Sequence, residues 1–224
     1  MKTIAIHQPN YIPWIGYFHK MANCDIFVFL DDAQYTKGGF INRNRIKTSQ
    51  GVKWLSIPAH TSLGFTIKDT ACGGDKWPEK HLKTLMAAYG RAPFFIEIFH
   101  WFSEILLSNK KKYLAELNIS ILRSISEKMG IKCSFYTSSE LSANGTSDDR
   151  LIAIVKALDG NTYLSGHGGS NYQDVAKFKK RGIAIKYSDF APLEYNQLWG
   201  EFIPGLSIID ALFNEGFQGA QGLI

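Results

Sequence analysis

The sequence predicts an α/β fold with an open parallel sheet, and three observations near its start support this. Residues 3–6 form a short β-branched run that ends at His7, and residues 26–30 form a second apolar run. Both runs are continuous rather than alternating, which is typical of strands buried on both faces of a parallel sheet. The amphipathic segment between them, residues 14–23, predicts the connecting helix.

Few regular elements are predicted between the second strand and residue 75. Residues 36–51 are polar and basic, which indicates a loop. A third short strand is predicted at residues 54–57, because Pro58 ends its apolar run. Residues 59–74 contain three glycines and predict irregular structure, with a weak strand near residues 65–67.

Helical periodicity dominates the next part of the chain. Pro78 opens the first predicted helix and Gly90 ends it, and residues 114–129 form the last helix of the block. Sheet strands are predicted again after it. We therefore expect a single α/β domain over residues 1–224 with a helical insertion at about 75–130.

Strands and helices alternate again towards the end of the chain. Ser207 predicts the N-cap of the last helix and Gly216 its end. The predicted elements are strand 132–136, helix 148–158, strand 162–165, helix 174–181, strand 183–187 and helix 208–215.

Composition narrows the class of protein. The 224 residues are 45% hydrophobic, which is ordinary for a globular domain with one core. No apolar stretch approaches the roughly 18 residues that a membrane span needs. The net charge is +5 and the basic residues are mostly dispersed, with no base-reading motif beside them. This argues against nucleic acid and favours an anionic small molecule such as a nucleotide.

Cysteine usage predicts a cytoplasmic location. Cys24, Cys72 and Cys133 are odd in number, far apart and in no CxxC motif, so a disulfide framework is not expected. The apolar run at the start is too short for a signal peptide. His81 and His100 do not form a zinc pattern with the cysteines, and no metal ligands are assigned.

A polar cluster follows the first strand. His7, Gln8, Asn10 and Tyr11 place four hydrogen-bonding residues within five positions. Asn10 alone explains a cap for the following helix, but the cluster exceeds what a cap needs. We therefore predict that these residues belong to a binding site, with His7 as an acid/base or phosphate donor.

Two carboxylates follow the second strand. Asp31 and Asp32 are adjacent, so on an extended chain their side chains point in opposite directions and do different jobs. One is suited to Mg²⁺ or a ribose hydroxyl, and the other to a cap or an arginine. Gln34 and Tyr35 come directly after them and are assigned to substrate binding. A solvated loop start is the competing interpretation.

Cations and amides are concentrated in the basic loop. Asn42, Arg43, Arg45 and Lys47 lie within six residues, and alternation puts the three cations on one face if the segment is extended. Arginine forks bind phosphate or carboxylate in a bidentate manner. A solvated charged face is the ordinary alternative, but the neighbouring asparagines favour anion binding.

A glycine-rich turn follows the strand at residues 162–165. Such turns expose backbone N–H groups to phosphates, although this one is neither a P-loop nor a G-x-G-x-x-G motif. A flexible turn is the alternative. The residues assigned to substrate binding here are Ser165, Gly166, Gly168, Gly169 and Tyr172.

These motifs together resemble one bacterial family over nearly the whole chain. They include IHQPNYIPWIGYF (6–18), DIFVFLDDAQYTKGGFINRNRIKT (25–48), WLSIP (54–58) and FIPGLSIIDALFNEG (202–216). On these stretches the chain resembles the WbqC-like proteins. That family is associated with O-antigen and other surface-polysaccharide clusters, including those of lipopolysaccharide. The resemblance therefore implies a role in building or decorating an activated sugar.

A second resemblance concerns the start of the chain. The start of the chain is similar to nucleotidylyltransferase-like folds, because it has a strand, a turn with His7, a helix and a second strand followed by Gln34-Tyr35. Within that group it resembles the pantothenate synthetase-like ligases most. This implies a Rossmann-like sheet. Those enzymes carry an H-x-G-H signature, whereas here Gln8-Pro9-Asn10 follows the histidine.

The sequence leads to three functional hypotheses. The first is a transferase that acts on a nucleotide-linked amino sugar by amide-forming acyl or aminoacyl transfer. His7 is its acid/base, Asp31 or Asp32 orients the amine or metal, and Arg43 and Arg45 hold the anion. The second is ATP-dependent nucleotidyl transfer or ligation, with Mg²⁺ and a nucleotide as cofactors. The third is a non-catalytic nucleotide-sugar-binding or scaffold protein.

Partners other than the sugar follow from the first hypothesis. An acyl donor or an acyl carrier protein is expected, and a carrier needs a basic docking surface. The basic clusters at residues 110–112 and 177–181 are the candidates for it. The sugar, the donor and the oligomeric state stay open at this point.

Overall fold

The computed structural model describes residues 1–108 and 112–224. Its strands, in chain order, are β1 (Thr3–His7), β2 (Ile26–Phe29), β3 (Arg43–Thr48), β4 (Gly51–Ser56), β5 (Ala59–His60), β6 (Ala71–Cys72), β7 (Ser134–Thr137), β8 (Thr162–Ser165) and β9 (Ala184–Tyr187). Its α-helices are α1 (Ile15–Ala22), α2 (Trp77–Tyr89), α3 (Phe95–Ser108), α4 (Leu114–Lys128), α5 (Ser147–Ala157), α6 (Val175–Lys180) and α7 (Ile208–Gln221). Two 3₁₀ helices cover Ser138–Glu140 and His167–Asn171.

Five strands form a parallel sheet in the order β7-β2-β1-β8-β9. In the register of β1, Ile4 lies beside Ile26 of β2 and Tyr163 of β8. The outer pairs are parallel as well, which confirms the predicted α/β fold with a Rossmann-like sheet. The strand order reverses between β1 and β8. Open α/β sheets bind ligands in the crevice at such a switch point, beyond the carboxyl ends of the strands.

The three central strands of the sheet, β2, β1 and β8, are largely buried on both faces, whereas the edge strands β7 and β9 are partly exposed. Ile4 and Ile6 face a core formed with α5 and α6, in which Val155 and Phe178 are fully buried. Ala5 points to the other face of the sheet, where it belongs to a larger core formed with α1, α2, α3, α4 and α7. The alternation of side chains along β1 therefore decides which helices cover each face.

Three helices, α2, α3 and α4, occupy the region predicted as a helical insertion. Their aromatic side chains pack against α7, where the rings of Tyr89 and Phe213 stack at 4.7 Å and Phe95 lies 5.8 Å from Phe213. No helix in the described ranges combines the length and the apolar character that a bilayer crossing requires.

The basic segment at 36–51, predicted as a loop, is partly strand. β3 and β4 form an antiparallel hairpin in which Arg43 lies beside Ser56. Ile46 and Leu55 anchor the hairpin in the core, while charged residues hide this alternation in the sequence. The predicted strand at 54–57 is the second half of β4.

The last helix also continues beyond its predicted end at Gly216. This glycine adopts φ 69° and ψ −177°, so the helix kinks there and then runs on to Gln221. A Cβ on Gly216 would lie 2.8 Å from the ring of Phe94, which explains why glycine suits this position. Ser207 caps the helix as predicted, because its hydroxyl accepts from the N–H of Ile209.

Candidate functional site

A cleft of about 1120 Å³ lies at the switch point, beyond the carboxyl ends of β1 and β8. Polar turns after three neighbouring strands contribute to its wall. The predicted site residues that line it are His7, Gln8, Asp32, Gln34, Ser165, Gly166, Gly168, Gly169 and Tyr172. The structure therefore brings together about half of the residues that the sequence assigned to a site.

The cleft also contains polar residues that sequence reasoning missed. They come from α1, from the 3₁₀ helix after β7, from the turn before α5 and its first residues, and from β8. A signal was available for one group, because residues 144–147 read as a turn and cap before a helix. The polar additions are Lys20, Ser139, Asn144, Thr146, Ser147, Asp148, Arg150 and Tyr163.

His7 stands at the end of β1 with its ring 4.7 Å from that of Tyr17. The Tyr17 hydroxyl donates to the carbonyl oxygen of Gln8 at 2.9 Å, which fixes the turn. His7 Nδ1 is buried and has no hydrogen-bond partner among the described residues. Burial, and secondly the charge of Lys20, lower the pKa of His7 to about 3. The imidazole is therefore neutral near pH 7 and offers one donor and one acceptor.

Asp31 and Asp32 have different surroundings. Asp31 is buried and accepts from the Ser139 N–H at 3.0 Å and the Ser139 hydroxyl at 2.7 Å. The Ser138 hydroxyl lies 3.0 Å from Asp31 Oδ1 and 2.6 Å from Asp32 Oδ1, so it joins the two carboxylates. Asp31 lines a separate cavity of about 1070 Å³. The structure thus uses Asp31 to hold the 3₁₀ turn, and the predicted catalytic role is not supported by its position.

Asp32 does line the cleft, where it forms an ion pair with Arg150 of α5. Arg150 also donates to the carbonyl oxygen of Ser138 at 3.2 Å. All four oxygens of Asp31 and Asp32 accept hydrogen bonds within the described residues, from Ser138, Ser139 and Arg150. Asp32 and Arg150 together provide one acceptor and one donor group at the cleft.

The N-terminus of α5 borders the cleft without a side-chain cap. Thr146, its N-cap residue, makes no capping hydrogen bond. Ser147 has φ 51° and Gly145 has φ 125°, so the chain turns sharply into the helix. The Asp148 carboxylate accepts from the Asp174 N–H at 2.9 Å, away from the first turn of its own helix. First-turn N–H groups of this kind favour anions.

The glycines of the turn after β8 differ in their surroundings. A Cβ on Gly169 would lie 2.2 Å from Ser165 Oγ, so this position requires glycine for packing. Gly166 and Gly168 have no described atom within 4 Å of a Cβ, and neither has a positive φ. Their lack of a side chain leaves the backbone accessible at the cleft. Tyr172 is 74% exposed at the rim.

Other predicted site residues lie outside the cleft. Tyr11 is fully buried, and its hydroxyl forms a 3.0 Å hydrogen bond with His81 Nδ1. Asn10 and Tyr35 do not line the cleft either, although both are partly exposed. Asn42 donates to the carbonyl oxygen of Ile57 at 2.8 Å, which fixes the base of the β3–β4 hairpin.

The cations of the predicted anion clamp anchor loops instead. Arg43 donates to the carbonyl oxygens of Gly38 and Gly39 and lies 4.2 Å over the Trp54 ring. Arg45 donates to the carbonyl oxygen of Gly205 at 3.3 Å, while its buried Nε has no hydrogen-bond partner among the described residues. Because irregular segments leave carbonyl groups without strand partners, side-chain donors satisfy them. The structure does not bring Arg43 or Arg45 to the cleft.

Lys47 belongs to the same group. It is 2% exposed, and Nζ donates to Gln197 Oε1 at 3.2 Å and to the carbonyl oxygens of Gly200 and Glu201. These contacts tie β3 to the irregular segment before α7. Lys47 is thus a structural anchor, and it does not line the cleft.

The two basic clusters predicted as docking surfaces for a carrier protein are described by the structure to different extents. Lys110 and Lys111 lie outside the described residues. Lys112 is exposed, with its Nζ 5.7 Å from the Tyr113 ring centroid. In the second cluster Lys177 pairs with Asp149 at 2.8 Å.

Comparison with known proteins gives the same family as the motifs. The sequence profile of the WbqC-like protein family matches residues 8–221. A protein of Mycobacterium tuberculosis (strain ATCC 25618 / H37Rv), named "Uncharacterized protein Rv1507c", is 37% identical over 226 residues. That alignment covers 100% of this chain and 98% of the mycobacterial protein. No solved structure matches the chain.

Proposed function

Because the chain belongs to the WbqC-like protein family, we propose that its switch-point cleft binds a nucleotide-linked amino sugar of bacterial surface-polysaccharide (O-antigen) biosynthesis. In this proposal the chain is a transferase that moves an acyl or aminoacyl group to the sugar's amine. One observation carries the proposal. The turns after β1, β2 and β8 line a single polar cleft at the point where parallel α/β sheets bind ligands.

The chemistry assigns roles to two sides of the cleft. The amine nitrogen attacks the acyl carbonyl, a C–N bond forms, and the bond from the carbonyl carbon to the donor's leaving group breaks. A base must take the proton that the amine loses. His7 is suited to this step, because its imidazole is neutral and its Nδ1 has no partner among the described residues. Asp32, held by Arg150, is placed to orient the amine by accepting a hydrogen bond.

The nucleotide part has a complementary wall. The uncapped N-terminus of α5 and the glycine-rich turn after β8 both border the cleft, and backbone N–H groups in such positions bind phosphate. Tyr172 at the rim offers an exposed ring to a base or sugar. This arrangement also supports the second candidate, nucleotidyl transfer, because a phosphate bound there is open to attack within the same cleft.

A ligand panel followed by product analysis tests the proposal. Thermal shifts are measured with nucleotides, nucleotide-linked amino sugars and acyl donors, where a ligand at about 100 Kd adds about 2.7 kcal/mol. Stabilised pairs are then incubated and analysed by mass spectrometry. A new amide on the sugar supports the proposal.

Three other outcomes contradict the proposed transfer. Release of pyrophosphate from ATP identifies the nucleotidyl-transfer alternative. Binding of a nucleotide sugar without turnover of any donor identifies the non-catalytic alternative. If no nucleotide or nucleotide sugar raises the melting temperature, the cleft binds neither, and both of these alternatives fail together with the proposed transfer. His19→Gln serves as a matched control for His7→Gln, since His19 is an α1 histidine that does not line the cleft.

A further inference from the structure

We propose that Lys20 is the anion-binding residue of the cleft and that it takes a phosphate group of the ligand. The identity of that ligand as a nucleotide-linked sugar rests on the proposed function, whereas the anion site follows from the surroundings of Lys20 itself. Sequence reasoning assigned no role to this residue, which lies near the end of α1.

Lys20 is a buried cation with one hydrogen bond. It is 4% exposed and lines the cleft, and Nζ donates to the carbonyl oxygen of Ile6 at 2.8 Å. Within residues 1–108 and 112–224, no carboxylate lies within 4.0 Å of Nζ. An ammonium group has three protons to donate, so two are unused by the described side chains. Burying such a charge without a counter-ion is unfavourable.

Lys47 provides an internal comparison. It is equally buried, at 2% exposure, but its Nζ donates to three oxygens, two of them backbone carbonyls. Lys47 is therefore satisfied by its own chain and lines no part of the cleft. Lys20 differs in both respects, and this difference indicates that a group from outside the chain completes its surroundings.

The other charged and titratable groups around the cleft favour an anion at Lys20. His7 and Cys24 are the titratable groups that interact with Lys20, and both are neutral, because burial lowers the pKa of His7 and a hydrogen bond with Cys133 together with burial raises the pKa of Cys24. Asp32 is paired with Arg150, and Asp148 accepts from a backbone N–H, so neither is directed to Lys20 as a counter-ion. Tyr163, whose pKa burial raises to about 12, is also neutral. The start of α5, whose N-cap residue makes no side-chain hydrogen bond, adds backbone N–H groups to the same cleft. Of the two aspartates in its first turn, Asp148 accepts from the Asp174 N–H and Asp149 is paired with Lys177.

Anion binding at Lys20 has a consequence for His7. The charge of Lys20 is one of the two causes that lower the pKa of His7. A phosphate beside Lys20 offsets that charge, so the pKa of His7 rises when the ligand is bound. In the proposed transferase, a bound phosphate therefore makes His7 a stronger base at the moment it is needed.

The experiment compares the full-length chain with Lys20→Met and Lys47→Met. Binding of inorganic pyrophosphate and of ADP is measured by calorimetry, and melting is followed without ligand. We expect Lys20→Met to melt at the same or a higher temperature, because it removes an uncompensated buried charge. It should bind either anion at least tenfold more weakly. Lys47→Met should melt lower, because three acceptors lose their donor, and should bind as the natural chain does below its melting point.

The pH dependence of ADP affinity gives a second test, which uses the natural chain and therefore remains available if Lys20→Met does not fold. Burial lowers the pKa of Lys20 to about 8, so ADP affinity should fall above that pH, since the neutral amine no longer attracts phosphate. Lys20→Arg keeps its charge at high pH and should show a flat profile. Acetate in place of pyrophosphate tests whether the site is selective for phosphate over carboxylate.

Defined results overturn the anion site. If the natural chain and Lys20→Met bind pyrophosphate with equal affinity, Lys20 does not bind the anion. If the natural chain binds neither pyrophosphate nor ADP, the proposed anion site does not exist. A pH-independent ADP affinity in the natural chain also overturns it. These failures are separate from failure of the proposed function. Anion binding through Lys20 without amide formation refutes only the transfer, and amide formation unchanged by Lys20→Met refutes only the anion site.

Discussion

Gly169 lies against Ser165 so closely that a Cβ on the glycine would stand 2.2 Å from Ser165 Oγ. The same Cβ would stand 2.8 Å from Gln173 Oε1, a buried oxygen that has no hydrogen-bond partner among the described residues. Ser165 ends β8 and lines the cleft. The absence of a side chain at Gly169 is therefore what allows the Ser165 hydroxyl to stand at the edge of the sheet.

Gly169→Ala should destabilise the protein by about 1–3 kcal/mol, the usual effect of forcing a methyl group into a packed site. Gly168→Ala is the matched control, because a Cβ there meets no described atom within 4 Å. It should leave stability unchanged or raise it slightly by restricting the unfolded chain. Urea denaturation of both variants measures the difference. Equal stability of the two variants would contradict the packing argument.

We expect Asp31 to contribute mainly to stability and Asp32 mainly to function. Asp31→Asn should lower stability by about 1–3 kcal/mol, because a buried carboxylate that accepts from Ser138 and Ser139 loses an acceptor. Asp32→Asn should affect stability less and turnover more, since Asp32 is partly exposed at the cleft. Parallel denaturation curves and turnover measurements decide this. Larger catalytic loss in Asp31→Asn than in Asp32→Asn would reverse the assignment.

His7→Gln should cut turnover by about 10²-fold, the low end of what a positioned base supplies. Folding should survive, because His7 lies at the end of β1 and its Nδ1 makes no hydrogen bond that the fold needs. His19→Gln, with a histidine outside the cleft, should keep full turnover. Near-normal turnover per folded molecule of His7→Gln would remove His7 from catalysis.

Acid should destabilise the protein partly through His7. Its pKa is lowered from 6.5 to about 3, so the unfolded chain binds a proton that the folded chain refuses between these two values. Stability is therefore fully present above about pH 6.5 and is lost as the pH falls towards 3. His81 acts in the same direction, because burial lowers its pKa to about 4. His7→Gln should flatten the decline in melting temperature between pH 6.5 and 4. An unchanged slope would show that His7 titrates normally.

Arg45→Ala should destabilise the protein rather than weaken ligand binding. Arg45 donates to the carbonyl oxygen of Gly205, 160 residues away in the chain, and so ties the β3–β4 hairpin to the segment before α7. Loss of this partly buried bond should cost about 1 kcal/mol. Lys53→Ala is the control, since Lys53 is an exposed cation of the same hairpin. Pyrophosphate binding should be unchanged in both. Weakened binding with unchanged stability in Arg45→Ala would restore the anion clamp that the sequence predicted.

The sequence by itself determined the sheet and the edge of it at which the cleft lies. The apolar runs at residues 3–6 and 26–30 and the short strand pattern at 162–165 are local, and polar or glycine-rich residues follow each of them. Strand formation depends on neighbouring residues along the chain, so these patterns are readable without coordinates. The rule that parallel strands present ligands at their carboxyl ends then predicted that His7, the Asp31-Asp32 pair and Ser165 lie at one edge of the sheet. The structure lines the cleft there with Asp32, whereas Asp31 lines a separate cavity.

Only the tertiary structure decided what the charged residues do. Lys20 looks in the sequence like any cation of an amphipathic helix, and Arg45 looks like a phosphate ligand. Their partners are set by packing between distant segments, which brings Lys20 to a buried cleft and Arg45 to the Gly205 carbonyl. A charge in the sequence carries no record of whether it faces water, a carbonyl group or a ligand. Burial and partner geometry make that distinction, and both arise only when the helices and the hairpin close around the sheet.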